Sequence, residues 1–226
     1  MGADVAIIDY GMGNLRSVSK AFEHVAPMAS VVVTADPEVI LGATRVVFPG
    51  QGAAPDCMRE IKARGLKGVI TEAARSKPFL GICMGQQVLF EHSEEGDTPC
   101  LGILPGRVLR FPAEAMHDDK GQRLKVPHMG WNEVHQTSEH PMWAGIPNGA
   151  RFYFVHSYYV EAGEPDLVAG FTLYPFAFTS AVARDNIFAV QFHPEKSQSA
   201  GLTLLANFVM WDGKVKPTAC STGTCL

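Results

Sequence analysis

Phe79-Leu80-Gly81-Ile82-Cys83-Met84-Gly85-Gln86-Gln87-Val88-Leu89-Phe90 is the stretch on which the fold turns. Its apolar approach runs like a buried strand, and a helical pattern follows a Gly-x-Cys-x-Gly turn. A nucleophile held at such a strand-to-helix elbow needs very small residues two positions before and two after it, because strand and helix approach closely there. A helix beginning just after Cys83 would turn its positive end toward the sulfur and favour thiolate. The same residues also suit a structural cysteine buried between two loop glycines, so the rest of the chain has to decide.

Upstream of this elbow, Val5-Ala6-Ile7-Ile8 is a continuous apolar run, suited to a strand covered on both faces of a parallel sheet. A glycine-bearing turn, Asp9-Tyr10-Gly11-Met12-Gly13-Asn14, leads into a helical pattern with Leu15, Val18, Phe22 and Val25 on one face. Strands follow at 31–33 and 45–48, the second breaking into Pro49-Gly50-Gln51-Gly52. Helices over 54–64 and 66–75 then lead to a strand at 78–82. This alternation predicts an α/β fold with a mainly parallel central sheet and helices on both faces. Functional groups in such sheets collect at the carboxyl ends of the strands, which would set Asn14, Gly50–Gly52 and Cys83 along one edge. After Cys100 the pattern turns β-rich, and the sequence predicts strands at 107–111, 124–126, 150–160, 167–173, 179–184 and 187–192. A hairpin turn is expected at Asp185-Asn186 and a final helix over 202–211. One domain over 1–212 and a loose polar tail over 213–226 are expected.

Composition narrows the classes of function. The 226 residues carry a net charge of -4, with no basic run of the kind that tracks nucleic acid. No apolar run approaches the roughly 20 residues of a membrane span. The start, Met1-Gly2-Ala3-Asp4, lacks the basic region of a signal peptide. Five cysteines, odd in number and without C-x-x-C, fit a reducing compartment, with cytoplasm the default; Cys220 and Cys225 read as incidental.

A thiol nucleophile needs a base, a group that orients the base, and donors for an oxyanion. His193-Pro194-Glu195 supplies a pair at a strand end. In extended geometry residues two apart point the same way, so His193 and Glu195 could both face Cys83. Gly50, Gln51 and Gly52 could offer backbone N–H groups, with a second donor from the N–H of Met84. Taken singly, these residues equally suit an ordinary histidine, a solvated carboxylate and a surface turn.

The joint pattern resembles the class I, triad glutamine amidotransferases. Gly81-Ile82-Cys83-Met84-Gly85-Gln86-Gln87, the loop Pro49-Gly50-x-Gly52 and the distant His193-Pro194-Glu195 match that family in order and spacing over roughly residues 4–211. The resemblance implies that Cys83 forms a glutamyl thioester, His193 shuttles the proton, Glu195 orients His193, and Gln87 helps hold glutamine. It further implies that backbone around His156, Ser157 and Tyr158 reads the amino-acid end of the substrate. It implies no cofactor and no metal. Ile8–Leu15 and Val126-Pro127-His128-Met129-Gly130-Trp131-Asn132 are similar to the glutaminase subunits of imidazole glycerol phosphate synthases, which pair with a (β/α)₈-barrel cyclase. That similarity places Asn14, Met129, Trp131 and Lys196 near a partner interface, with residues 127–132 read as an exposed turn. Trp131 packing within a loop core and Lys196 as a solvated charge stay open. So do the glutaminase subunits of other synthases (anthranilate, aminodeoxychorismate, pyridoxal phosphate), a silent flavodoxin-like module and a cysteine peptidase.

Overall fold

A computed structural model describes residues 2–117 and 120–215. Cys220, Cys225 and the tail from 216 onward lie outside these residues. The first half alternates as its sequence pattern demands. Strand β1 (Val5–Ile8) is buried on every residue and feeds α1 (Leu15–Val25), where Asn14 accepts the Ser17 N–H at 3.4 Å as N-cap. Then come β2 (Val31–Thr34), α2 (Pro37–Gly42), β3 (Arg45–Gly50), α3 (Ala54–Ala63), α4 (Lys67–Ser76), β4 (Phe79–Cys83) and α5 (Met84–Gln87). The second half is strand-rich: β5 (His92–Ser93), β6 (Thr98–Pro99), β7 (Gly106–Arg110), β8 (His128–Gln136), β9 (Ala150–His156), β10 (Tyr158–Ala162), β11 (Val168–Leu173), β12 (Ala177–Arg184) and β13 (Ile187–Val190), followed by α6 (Gln198–Met210).

Among the described residues the main sheet runs β2-β1-β3-β4-β13-β12-β10-β7-β5-β6, with β11, β8 and β9 branching from β12. The five strands from β2 to β13 are parallel; β12 is the first antiparallel neighbour. Alternate residues of the parallel strands serve opposite layers. Ile7, Val47, Leu80 and Ile82 pack in one cluster with Phe22 of α1 and Leu205 and Phe208 of α6. Ile8, Val46, Phe48 and Phe79 pack in another with Cys57 and Ile61 of α3 and Ile70 of α4. Helices therefore cover both faces, as the alternation predicts.

Four expectations are corrected. Residues 124–126 are not a strand: Leu124 donates to Met116 O, and Val126 precedes a proline that cannot donate to a ladder. Residues 128–132 are not a turn but the start of β8, paired residue by residue with β9 from His128↔His156 to Val134↔Ala150. The strand expected over 150–160 breaks at Ser157 into β9 and β10. The segment after His193 is not extended but a 3₁₀ turn, Pro194–Lys196.

A Cβ on Gly85 would collide with the Phe48 carbonyl oxygen, whereas one on Gly68, in α4, meets nothing within 4 Å. Gly85→Ala is expected to lower stability by roughly 3 kcal/mol or more, and Gly68→Ala to raise it by up to about 1 kcal/mol. Chemical unfolding of the two variants checks both signs.

Candidate active site

Cys83 ends β4 with φ 56° and ψ -113°, a left-handed backbone that a residue with a Cβ rarely adopts. The neighbours make the conformation possible. A Cβ on Gly81 would lie 2.8 Å from Gly85 O and 2.9 Å from Ala189 Cβ, and Gly85 sits on Phe48 O. Both flanking glycines are thus required by close approach, as the elbow demands. The helix after the nucleophile is a single turn, α5, so its dipole is smaller than the sequence pattern suggests. Gly50 stands in register with Cys83 as the last residue of β3, and a Cβ there would strike the Tyr10 hydroxyl.

Strand β13 delivers the second component. It lies parallel to β4 with Val190 beside Ile82, so the chain leaving β13 passes the sulfur. His193 Nδ1 is 2.9 Å from Glu195 Oε1, with side chains only 6% and 1% exposed. The 3₁₀ turn brings the carboxylate round to the ring, where an extended strand was expected to do so. Burial disfavours the imidazolium, but the influence of Cys83, through charge and a hydrogen bond to the ring, and that of Glu195 outweigh it and raise His193 to about 10. With Nδ1 on Glu195, Nε2 is left for the sulfur. Gln191 Nε2 approaches Sγ at 3.8 Å.

A cavity of about 600 Å³ opens beside Cys83. The structure brings Gln51, Gly52, Met84, Gln87, Ser157, Tyr158 and Lys196 to its wall together with Cys83 and His193. Lys196 also stands 5.9 Å over the Tyr153 ring. Asn14 is explained locally by its cap to α1 and is not on that wall. Met129 and Trp131 point to the outer side of β8, 62% and 37% exposed, and Trp131 meets the Tyr153 ring edge-on.

Sequence reasoning missed Glu95, Gln191 and the imidazole of His128. Glu95 lines the cavity and accepts the Ala54 N–H at 2.7 Å. In sequence it is one of two acidic residues before a glycine turn, which reads as a solvated loop. Gln191, two residues before His193, bridges Gln87 and Cys83. The cavity's other imidazole, His156, is driven by burial down to about 3 and is neutral, so the two rings are displaced in opposite directions.

A buried thiol with an imidazole and a carboxylate behind it, at the carboxyl edge of a parallel sheet, is the arrangement that a thiol hydrolase of the triad type requires. The class-I glutamine amidotransferase family profile matches residues 6–211, and the chain belongs to that family. Within it, the chain is 73% identical over 220 residues to the imidazole glycerol phosphate synthase subunit HisH of Thiobacillus denitrificans, covering 97% of this chain and 96% of that one. It is 66% identical to the HisH subunit of Nitrosospira multiformis, covering 92% and 98%. Among solved structures, a glutamine amidotransferase shares the fold at a TM-score of 0.68 and 16% identity, covering 92% and 100%. PurLQS from Thermotoga maritima shares it at 0.64 and 17%, covering 93% and 98%.

Because Cys83 contributes two of the influences that raise His193, Cys83→Ala is expected to lower the His193 pKa from its position near 10. A histidine-resolved NMR titration of parent and variant checks this; an unchanged value would mean that Glu195 alone holds the proton.

Proposed function

We propose that this chain is the glutaminase subunit of an imidazole glycerol phosphate synthase of histidine biosynthesis, hydrolysing glutamine and passing ammonia to a (β/α)₈-barrel cyclase. The observation that carries the chemistry is the buried Cys83–His193–Glu195 array at the mouth of the cavity. Cys83 thiolate attacks the side-chain carbonyl carbon of glutamine. The oxyanion so formed is held by backbone N–H groups of the Gly50–Gly52 segment and Met84. His193, protonated on Nε2, gives that proton to the departing nitrogen; the C–N bond breaks, ammonia leaves and a glutamyl thioester remains. Water then attacks the thioester with His193 as base, releasing glutamate and restoring the ion pair. Glu195 keeps Nδ1 protonated, so that Nε2 is always the atom that exchanges the proton.

Substrate recognition follows from the wall. The Glu95 carboxylate suits the α-ammonium of glutamine. Gln87 has both amide hydrogens engaged, to Tyr158 O at 3.0 Å and Gln191 Oε1 at 2.8 Å, while its buried Oε1 has no protein partner and suits a substrate N–H. Backbone at Ser157 and Tyr158 completes the contact with the amino-acid end. For the partner, Met129 and Trp131 offer an exposed apolar pair on one face of β8, and Lys196 borders the cavity beside them. The high identity to HisH subunits favours this synthase over others that use ammonia.

Cys83→Ala is expected to cut glutamine-dependent synthesis by the assembled complex roughly a thousandfold or more, leaving synthesis from ammonium salts intact. Loss of both activities in a folded complex would contradict the division of labour. Glu95→Gln is expected to raise the glutamine KM about tenfold with little change in kcat, read from steady-state kinetics.

A further inference from the structure

A chain of hydrogen bonds runs from the start of β8 to the cavity wall. Its tautomers are fixed by elementary bookkeeping. The Tyr158 carbonyl, 2.8 Å from His156 Nδ1, can only accept, so Nδ1 carries the hydrogen. Neutral His156 then has a bare Nε2, which lies 2.9 Å from His128 Nδ1; His128 must donate there. His128 Nε2 is thereby left as an acceptor, and the Asn132 amide is 3.2 Å away to supply it. Asn132 spends its other hydrogen on Leu173 O at 3.0 Å. Tyr158 O also accepts from Gln87, whose second amide hydrogen goes to Gln191, which in turn reaches Cys83. The His128 ring cannot easily turn away, being stacked between Tyr174 at 3.9 Å and Phe154 at 4.9 Å. Burial keeps the ring neutral, lowering it to about 4, so it holds one hydrogen to give.

The geometry points to His128 and Asn132 as positioning residues for glutamine: they supply the donor that holds the His156 ring by its Nε2, and through that ring they position the Tyr158 carbonyl and the Gln87 amide that form one wall of the cavity. This rests on the glutaminase reading above. Neither residue lines the cavity, and neither His156 nitrogen is free to move a proton in the reaction, so the effect falls on binding rather than on the chemical step. Strand alternation separates the two duties of β8: His128 and Asn132 face the wall while Met129 and Trp131 face outward.

The test uses the full chain with its cyclase partner and two variants. His128→Gln places its polar atoms near the Nε2 position and removes the donor to His156. His128→Asn keeps an N–H near the Nδ1 position. His128→Gln is expected to raise the glutamine KM roughly tenfold with kcat within about twofold, as loss of one buried neutral hydrogen bond implies. Ammonium-supported synthesis should be unchanged, and His128→Asn should bring KM back to within about threefold of the parent. Nitrogen-15 spectra of the histidines in the parent chain should show His156 protonated on Nδ1 alone, and His128→Gln should shift its Nε2 resonance, because that lone pair loses its donor. A parental KM in His128→Gln, equal impairment of both variants, or an Nε2-protonated His156 in the parent would overturn the proposal. If the parent complex failed to hydrolyse glutamine, the functional reading would fall instead, and the tautomer spectra would still decide the hydrogen-bond assignment.

Discussion

The left-handed backbone at Cys83 is the constraint on which the rest depends. A residue with a Cβ held there costs on the order of 1–3 kcal/mol, and it persists because its surroundings leave no other path. Gly81 and Gly85 let β4 and α5 close on each other, Gly85 lies against Phe48 O, and Ala189 of β13 fills the space beside Gly81. Those same contacts fix how far β13 stands from β4. Cys83 and His193 are therefore positioned by one packing arrangement and not by two independent loops.

Electrostatics inside the cavity depend on this closeness. His193 meets the Cys83 sulfur and a buried carboxylate, which raise it; His156, a short way off, meets a carbonyl and another neutral ring and is lowered by burial. Burial acts on both rings in the same direction, so the opposite sign of their shifts comes from their partners. Glu195 contributes by holding the ring as well as by charge, since its Oε1 fixes Nδ1 at 2.9 Å.

The parallel half was legible in the sequence because strands covered on both faces must be continuously apolar, and β1, β4 and the part of β3 after Arg45 are. Helix α2 was not, since it has six residues and buries only Ile40, too little for a periodic signal. Residues 128–136 resisted for a different reason. Met129 and Trp131 sit on the outward face, so the strand has apolar groups on the side where a half-buried strand is normally polar. His193 and Glu195 were found by residue type, but the geometry inferred for them was wrong, because Pro194 starts a 3₁₀ turn. Gln191, Glu95 and His128 could not be found from spacing. Gln191 meets Gln87 and Cys83 across more than a hundred residues, and only the register of β13 on β4 brings them together.

That register also orders events in time. Strand β13 is the last to be synthesised, yet it lies between β4 and β12 in the middle of the sheet. Until it emerges, β4 has an open edge and the sheet exists as two unjoined parts, each a template for pairing with other chains. The closing contacts are among the most distant in sequence, so their loop entropy is met late and folding should be slow relative to a sheet built in order. A ribosome-bound chain would thus carry the Cys83 thiol well before the His193 imidazole that comes to lie beside it. Competence for chemistry then arrives together with completion of the sheet.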